Sequence, residues 1–205
     1  LRSGVNDYIS KPVIEEELWV RARNLILNRQ LQRRIETQQK HLEALATTDQ
    51  LTGLYNRHYL MDIGPRRISE ARRHHFALSL VVVDVDKFKD VNDVHGHSTG
   101  DEVLKEVGNL LEQSCRNEDV AARFGGEEFV LILPHCRLED AIGKAEKLRV
   151  TLSELMPAGL KLTASFGVST LNLAGNENFG TLFDAADKAV YAAKEAGRNC
   201  VKKAA

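Results

Sequence analysis

The chain has 205 residues, 43% of them hydrophobic and 28% charged, with a formal net charge of -1; this is the profile of a folded domain plus an appendage and excludes a disordered segment. No global basic field draws such a chain to nucleic acid or to a membrane surface, so any anionic ligand must be held by a local arrangement of residues. Cys115, Cys136 and Cys200 are odd in number and lack metal-type spacing, and the longest apolar run, FALSLVVV, is too short to span a bilayer, so the expected setting is a reducing cytoplasm, with no membrane span in this segment.

The sequence opens at Leu1, without a methionine or signal peptide, in GVNDYISKP, which reads as a short strand stopped at Pro12. A fragment of a longer protein is expected. VIEEELWVRARNLIL then places Ile14, Leu18, Ala22 and Leu25 at helical spacing behind an acidic first turn. Residues 29–47 are polar and free of glycine and proline, with Leu31, Ile35, Leu42 and Leu45 at a/d-like positions and Gln38 interrupting them. They read either as a solvated connecting helix or as a parallel coiled coil between two protomers. The expected organisation is a short segment at 1–28, a helical linker at 29–47 and the main domain at 48–205.

Within the main domain, DQLTGLYNRHYLMD leads through a capping segment into a helix reaching Arg72. FALSLVVVDVD is near-continuously apolar, as in a central strand buried on both faces. TGDEVLKEVGNLLEQSC is an amphipathic helix. DVAARF and EEFVLILP read as a hairpin joined by a tight turn at Gly125-Gly126, glycines that tolerate positive φ. A helix over Leu138–Leu155, the strand KLTASFGVSTL, the helix FGTLFDAADKAVYAAKEAG and a closing strand at NCVKK complete the chain. Interleaved helices and hairpin strands predict an α/β (α+β) fold: a mixed, largely antiparallel central sheet flanked by helices, preceded by a long linker helix.

Asp84 and Asp86 end the buried strand, and alternation would put both on one face; helix-starting aspartates at a strand's end are the plain alternative. If pairing of the central strands brings Glu127 and Glu128 beside Asp84, the crowded carboxylates call for a cation. Hard oxygen ligands suit magnesium, which takes one or two carboxylates plus the phosphates of a substrate. Gly125 and Gly126 let a large ligand approach the backbone. In KFKDVNDVHGHSTGD, the amides of Lys87 and Phe88 could cradle phosphate oxygens, and Asn92 and Asp101 could read a base edge, an aspartate accepting from the adjacent N–H donors of guanine. The same stretch also reads as a polar loop before a helix. Lys194 and Arg198 either compensate a helix dipole or bind a triphosphate.

DQLTGLYNR, DVDKFKDVND, GHSTGD, GGEEF and KEAGRN, in that order over about Asp49 to Val201, resemble the diguanylate cyclases, the GGDEF-domain family. NDYISKP and the helix after it resemble the end of a response-regulator receiver domain, which would place Lys11 near a phosphoacceptor site.

The first resemblance implies a nucleotidyl-cyclase or polymerase-palm-like sheet, and an enzyme that condenses two GTP into cyclic di-GMP and two pyrophosphates. By that likeness Asp84, the carbonyl of Val85 and Glu127 hold Mg2+ (or Mn2+), which sets aside the reading of Asp86 as a ligand. Glu127 and Glu128 are the catalytic acids, Glu127 assisting deprotonation of the attacking 3′-hydroxyl. Asn92, His97 and Asp101 contact the substrate beside the bare Gly125-Gly126 turn, and Lys194, Arg198 and the amides of Lys87 and Phe88 hold its phosphates. Each domain binds one GTP, so a homodimer is implied, which favours the coiled coil.

RNED, from Arg116 to Asp119, matches the family's RxxD product-inhibition site, although as sequence it reads equally as a charged turn. Lys147 stands where some members carry a further inhibitory-site arginine, and His58 replaces the second arginine of the NRR variant. The alternatives are a catalytically weak cyclic di-GMP receptor, a cyclase of altered base choice, and a dimerising signal relay.

Overall fold

The computed structural model describes residues 15–204; Lys11 lies outside them. By its contacts the chain forms two units, residues 1–44 and residues 45–205. One helix, α1 (Glu15–Thr47), runs without a break through the boundary expected at 28/29, consistent with a stretch that contains no glycine or proline to stop it. Among the described residues no helix is long and apolar enough to cross a membrane.

In the second unit β2 (Leu78–Val85) is buried at every position because it has a strand on each edge and helices on each face. It pairs antiparallel with β4 (Glu128–Pro134) and with β5 (Ala164–Thr170). β3 (Val120–Gly125) extends the sheet antiparallel to β4, while β1 (Tyr55–Asn56) and β6 (Val201–Lys203) close its edges by parallel pairing. The order is β1-β3-β4-β2-β5-β6, the mixed and largely antiparallel sheet the sequence predicts. The two-residue β1 was not foreseen: TGLYNR carries no strand-length pattern.

Alternation along β2 sorts the core. Val81, Val83 and Val85 pack against α4 (His97–Ser114) and α5 (Leu138–Leu155), with Val107, Leu111, Ala145 and Leu148 in one buried cluster. Leu78, Leu80 and Val82 face the other way, onto Leu60 and Ile68 of α2 (Arg57–His74) and Leu182, Ala186 and Val190 of α6 (Phe179–Glu195). Both α2 and α6 start on a side-chain cap: Asn56 accepts from the Tyr59 amide, and Asn178 and Thr181 form a reciprocal capping box. Truncating a fully buried core side chain such as Phe129 would cost about 3–5 kcal/mol.

Two local expectations shift. The stretch after β2 contains α3 (Phe88–His95) directly before α4, where a loop was expected to run up to Thr99. Phe88 and Val91, three apart and both buried, supply the apolar face that pins α3 down. The hairpin turn lies one residue later than Gly125-Gly126: Gly125 pairs with Glu128, and the register slips between Arg123 and Gly125. The central turn residues are thus Gly126 and Glu127, with Phe124 at the bulge. Gly125 at φ 156° and Gly126 at φ 53° supply the backbone that a side chain would resist.

Candidate active site

Asp84 shares the sheet face of Leu80 and Val82, the face α6 covers, and pairs in register with Glu128. The amide of Val85 donates to the carbonyl of Glu127 at 3.3 Å, which holds the turn against the end of β2. These contacts bring Asp84, Glu127 and Glu128 into one another's fields. Burial raises the Asp84 carboxyl above its usual range; Lys194 works against that, while Glu127 and Asp86 add to it. The Glu128 carboxyl is also raised, first by burial and then by Asp84 and Asp187, with Lys194 again opposing.

Lys194 is the cation set into this group, its Nζ donating to Asp84 Oδ2 at 2.6 Å. Asp187 and Lys194 lie seven residues apart on α6, two turns along one side. The sequence reading missed Asp187, for which that spacing was the available signal.

Among the described residues no three His, Cys, Asp or Glu side chains converge tightly enough to hold a metal by themselves. The expected set, Asp84, Glu127 and the Val85 carbonyl, contains two carboxylates and would leave the other positions of an ion to ligand oxygens, the usual habit of magnesium. Carboxyls raised by burial first and then by one another, with an ammonium among them, mark a place that gains from added positive charge. The residues present fit a hard divalent cation.

Asp86 belongs to the framework. It is 4% exposed, and its carboxylate accepts from Thr163 Oγ1 and Ser165 Oγ, both at 2.7 Å, and from the Asn199 amide at 3.0 Å. Lys87 follows in the left-handed region at φ 56° and starts α3. The Asp90 amide donates to the Lys87 carbonyl at 2.9 Å, while the earlier amides of the first turn, Phe88 among them, have no helical acceptor and form a place suited to anions.

Asn92 of α3 is half-buried, while His97 and Asp101 of α4 are exposed. The two helices meet at Gly100, where a Cβ would collide with Asn92 Oδ1; this close approach brings Asn92 beside the residue preceding Asp101. Arg198 lies in the loop after α6, at φ 68°.

Arg123, within the hairpin but given no role by sequence, holds the turn from below: its Nε donates to the Gly126 carbonyl at 2.9 Å. Arg57, the arginine before His58, places its guanidinium 4.5 Å over the ring of Phe124, a cation–π contact at the bulge.

Arg116 and Asp119 stand at the opposite end of β3 from the turn. Asp119 Oδ2 accepts from the Arg116 amide at 3.0 Å and from Lys144 Nζ at 2.7 Å. Arg116, Lys144 and Lys147 line one cavity of about 580 Å³ together with Gln113 and Thr151. Lys147 is therefore placed beside Arg116, and Lys144, which sequence reading passed over, is the partner that Asp119 uses.

The family model "Diguanylate cyclase, GGDEF domain" matches residues 46–200. The chain is 38% identical over 207 residues to the response regulator PleD of Caulobacter vibrioides, covering 98% of this chain and 45% of that protein. It is 41% identical over 175 residues to the diguanylate cyclase DgcM of Escherichia coli, covering 83% and 40% respectively. It thus spans less than half the length of the curated relatives it matches. Among solved structures, the coiled coil and GGDEF domain of DgcB from Caulobacter crescentus in complex with c-di-GMP is similar at a TM-score of 0.82 and 31% identity, over 90% of this chain and 99% of that one. The active GGEEF domain of a diguanylate cyclase from Vibrio cholerae is similar at 0.70 and 31% identity, over 73% and 97%.

Proposed function

The chain belongs to the diguanylate cyclase GGDEF-domain family, and from that premise we propose that it condenses two GTP molecules into cyclic di-GMP with release of two pyrophosphates. The observation that carries this reading is the group formed by Asp84, Glu128 and Lys194 at the end of β2, next to the hairpin turn and the start of α3.

In this reading the guanine lies between α3 and α4, where Asp101 accepts from its two N–H donors and Asn92 bonds the neighbouring edge. His97, the first residue of α4, adds a contact to the substrate. The triphosphate runs toward the amides of Lys87 and Phe88 and the cations of Lys194 and Arg198. The glycine turn admits the nucleotide backbone. Asp84, the Val85 carbonyl and Glu127 would hold a magnesium (or manganese) ion, which would supply charge stabilisation for the attacking and departing oxygens. Glu127 helps take the proton of the 3′-hydroxyl, and Glu128 sustains the negative field that draws a cation in.

One site holds one GTP, so attack of one 3′-hydroxyl on the other α-phosphorus requires two domains face to face. Correct placement of the two substrates provides much of the rate. The long α1 provides the means to pair protomers, in the coiled coil or as a signal relay alongside catalysis. Cyclic di-GMP in turn binds at Arg116 and Asp119 and restrains the enzyme, and the substrate places the reaction in the cytoplasm.

The test is incubation of the chain with GTP and magnesium, with the product identified by mass. Cyclic di-GMP from wild type and none from folded Glu127→Ala or Asp84→Ala is the expected result. Binding of cyclic di-GMP with no synthesis would favour the receptor reading.

A further inference from the structure

Asp86 has no task in the reaction just described, although it is a nearly fully buried carboxylate between Asp84 and the start of α3. Burying a carboxylate is unfavourable unless its lone pairs are satisfied. Its three donors are all neutral: the hydroxyls of Thr163 and Ser165 and the amide of Asn199. Its own amide donates to the Thr163 carbonyl at 2.9 Å. The two hydroxyls and that amide tie Asp86 to the start of β5. The third donor comes from the loop between α6 and β6, 113 residues away.

That loop is unusual in its backbone. Gly197, Arg198 and Asn199 follow one another at φ 107°, 68° and 45°, and two of the three carry a Cβ that disfavours this region. Such a run persists only where its surroundings over-determine it. The Gly197 amide donates to the Lys194 carbonyl at 3.4 Å and the Arg198 amide to the Ala193 carbonyl at 3.0 Å, and Cys200 just beyond is tied to Phe166 and Ala193. Asn199 is held by Arg149 Nη1 at its Oδ1 (2.9 Å) and by Asp86 Oδ2 at its amide (3.0 Å). Asp86 thus fixes the peptide immediately after Arg198, while its own backbone leads directly into Lys87 and Phe88.

We infer that Asp86 is a positioning residue for triphosphate recognition: it locks the Arg198 loop and the start of α3 to the same point of the sheet, so that a guanidinium and two amides converge on one set of phosphates. The inference rests on the proposed phosphate-binding role of Arg198. It assigns Asp86 no contact with substrate or metal.

The discriminating measurement is the ratio of dissociation constants for GMP and for the α,β-methylene analogue of GTP, which cannot release pyrophosphate, titrated by calorimetry into the full chain. The fraction of protein that is folded cancels in this ratio. Asp86→Ala should lower the ratio about tenfold, mostly through the triphosphate, with GMP binding changed less than about threefold; a tenfold change corresponds to 1.4 kcal/mol. Asp86→Asn keeps an acceptor for the Asn199 amide, and the Ser165 hydroxyl can rotate to accept from its NH2, so it should restore most of the ratio. Arg198→Ala should lower the ratio by itself, and adding Asp86→Ala to it should lower it little further. If Asp86→Ala does not fold, Thr163→Val with Ser165→Ala removes the two hydroxyls that aim the carboxylate and should move the ratio the same way. An unchanged ratio in the Asp86 variant, or in that substitute, beside a lowered one in Arg198→Ala overturns the inference. A ratio unmoved by Arg198→Ala overturns the phosphate reading and the inference with it.

Discussion

Arg123 reaches both oxygens of Asp49 through one guanidinium nitrogen, Nη1 lying 3.2 Å from Oδ1 and 3.4 Å from Oδ2, while its Nε donates to the Gly126 carbonyl at 2.9 Å. One planar group therefore joins the segment that follows α1 to the hairpin turn before Glu127. Arg123→Lys offers a single ammonium that cannot serve both acceptors, and losing a charge-assisted bond costs about 1.5–3 kcal/mol. The expected outcome is a lower Tm and cyclic di-GMP synthesis reduced by roughly tenfold or more, read by calorimetry and product formation. Full activity in Arg123→Lys would show that the turn holds itself.

The Asp49 end of this link sets an acid limit. Burial works to raise its carboxyl, but the Thr52 amide and hydroxyl and the Arg123 cation outweigh it and hold Asp49 below its ordinary value of 3.8. A depressed native pKa contributes stability that is present above 3.8 and is lost as pH falls through the folded value. Asp49→Asn should therefore destabilise the chain at neutral pH and show a shallower loss of Tm on acidification below about pH 4. Parallel Tm curves for the two proteins over that range would contradict this.

Glu128 carries the opposite sign. Its carboxyl is raised above the ordinary 4.5, by burial first and by Asp84 and Asp187 next, with Lys194 opposing. The native state then holds this proton more tightly than the unfolded chain does. The stability it contributes is complete below 4.5 and is lost as pH rises through the folded value. At neutral pH the ionised side chain is a net cost in metal-free buffer. Glu128→Gln is expected to melt higher than wild type at pH 7 under those conditions, each 1 kcal/mol appearing as about 2–4 °C in a chain of this size. The gain should disappear below pH 4.5, and a lower Tm for Glu128→Gln at pH 7 would reverse the assignment.

What the sequence made legible follows from period and range. Eight consecutive buried positions in β2, flanked by helices of clear amphipathic spacing, could be read because both signals are local. The hairpin could also be read, but its turn moved by one residue because the bulge at Phe124 takes up a position that pattern alone counts as paired. α3 was hidden by a polar sequence in which only Phe88 and Val91 are buried. The side-chain pairs that shape the site were not legible: Asp84 meets Lys194 across 110 residues and Arg123 meets Asp49 across 74. Nothing in local spacing marks such partners: the resemblance gave roles to Asp84 and Lys194 without pairing them, and Arg123 and Asp49 received none. Asp86 illustrates the gap. Alternation put it on one face with Asp84, whereas β2 ends at Val85 and the partners at Thr163, Ser165 and Asn199 make Asp86 part of the framework.

Gly100 provides a test of the proposed base site in which two effects oppose. In the interior of a helix, alanine is favoured over glycine by about 1 kcal/mol. Here the added Cβ collides with Asn92 Oδ1, and overpacking of a tight contact costs about 1–3 kcal/mol. The collision should win by displacing the Asn92 side chain, so Gly100→Ala is expected to weaken GTP binding by roughly tenfold with little change in Tm. Calorimetric titration with the GTP analogue checks it, and unchanged affinity would place Asn92 outside the guanine contact.

The last prediction separates the two residues of RNED. Arg116 uses its backbone amide, not its guanidinium, to bond Asp119 Oδ2, so Arg116→Ala leaves that turn intact. The Asp119 side chain is 4% exposed and is paired with Lys144 Nζ at 2.7 Å. Removing Lys144 would strand a buried carboxylate, at a cost of about 3–5 kcal/mol. The two changes should therefore differ in kind. Arg116→Ala is expected to keep the wild-type Tm and initial rate while losing about 2 kcal/mol of cyclic di-GMP affinity, roughly a 30-fold shift in the inhibition curve. Lys144→Ala is expected to lower Tm as well as product affinity. Lys147 lines the same cavity as Arg116, so Lys147→Ala should weaken product binding without touching Tm, the ammonium being free to meet a phosphate. Inhibition curves at fixed GTP with binding by calorimetry measure all three. Equal inhibition of wild type and Arg116→Ala would reduce RNED to a charged turn held by Lys144, and would leave product restraint to be sought at the active site itself.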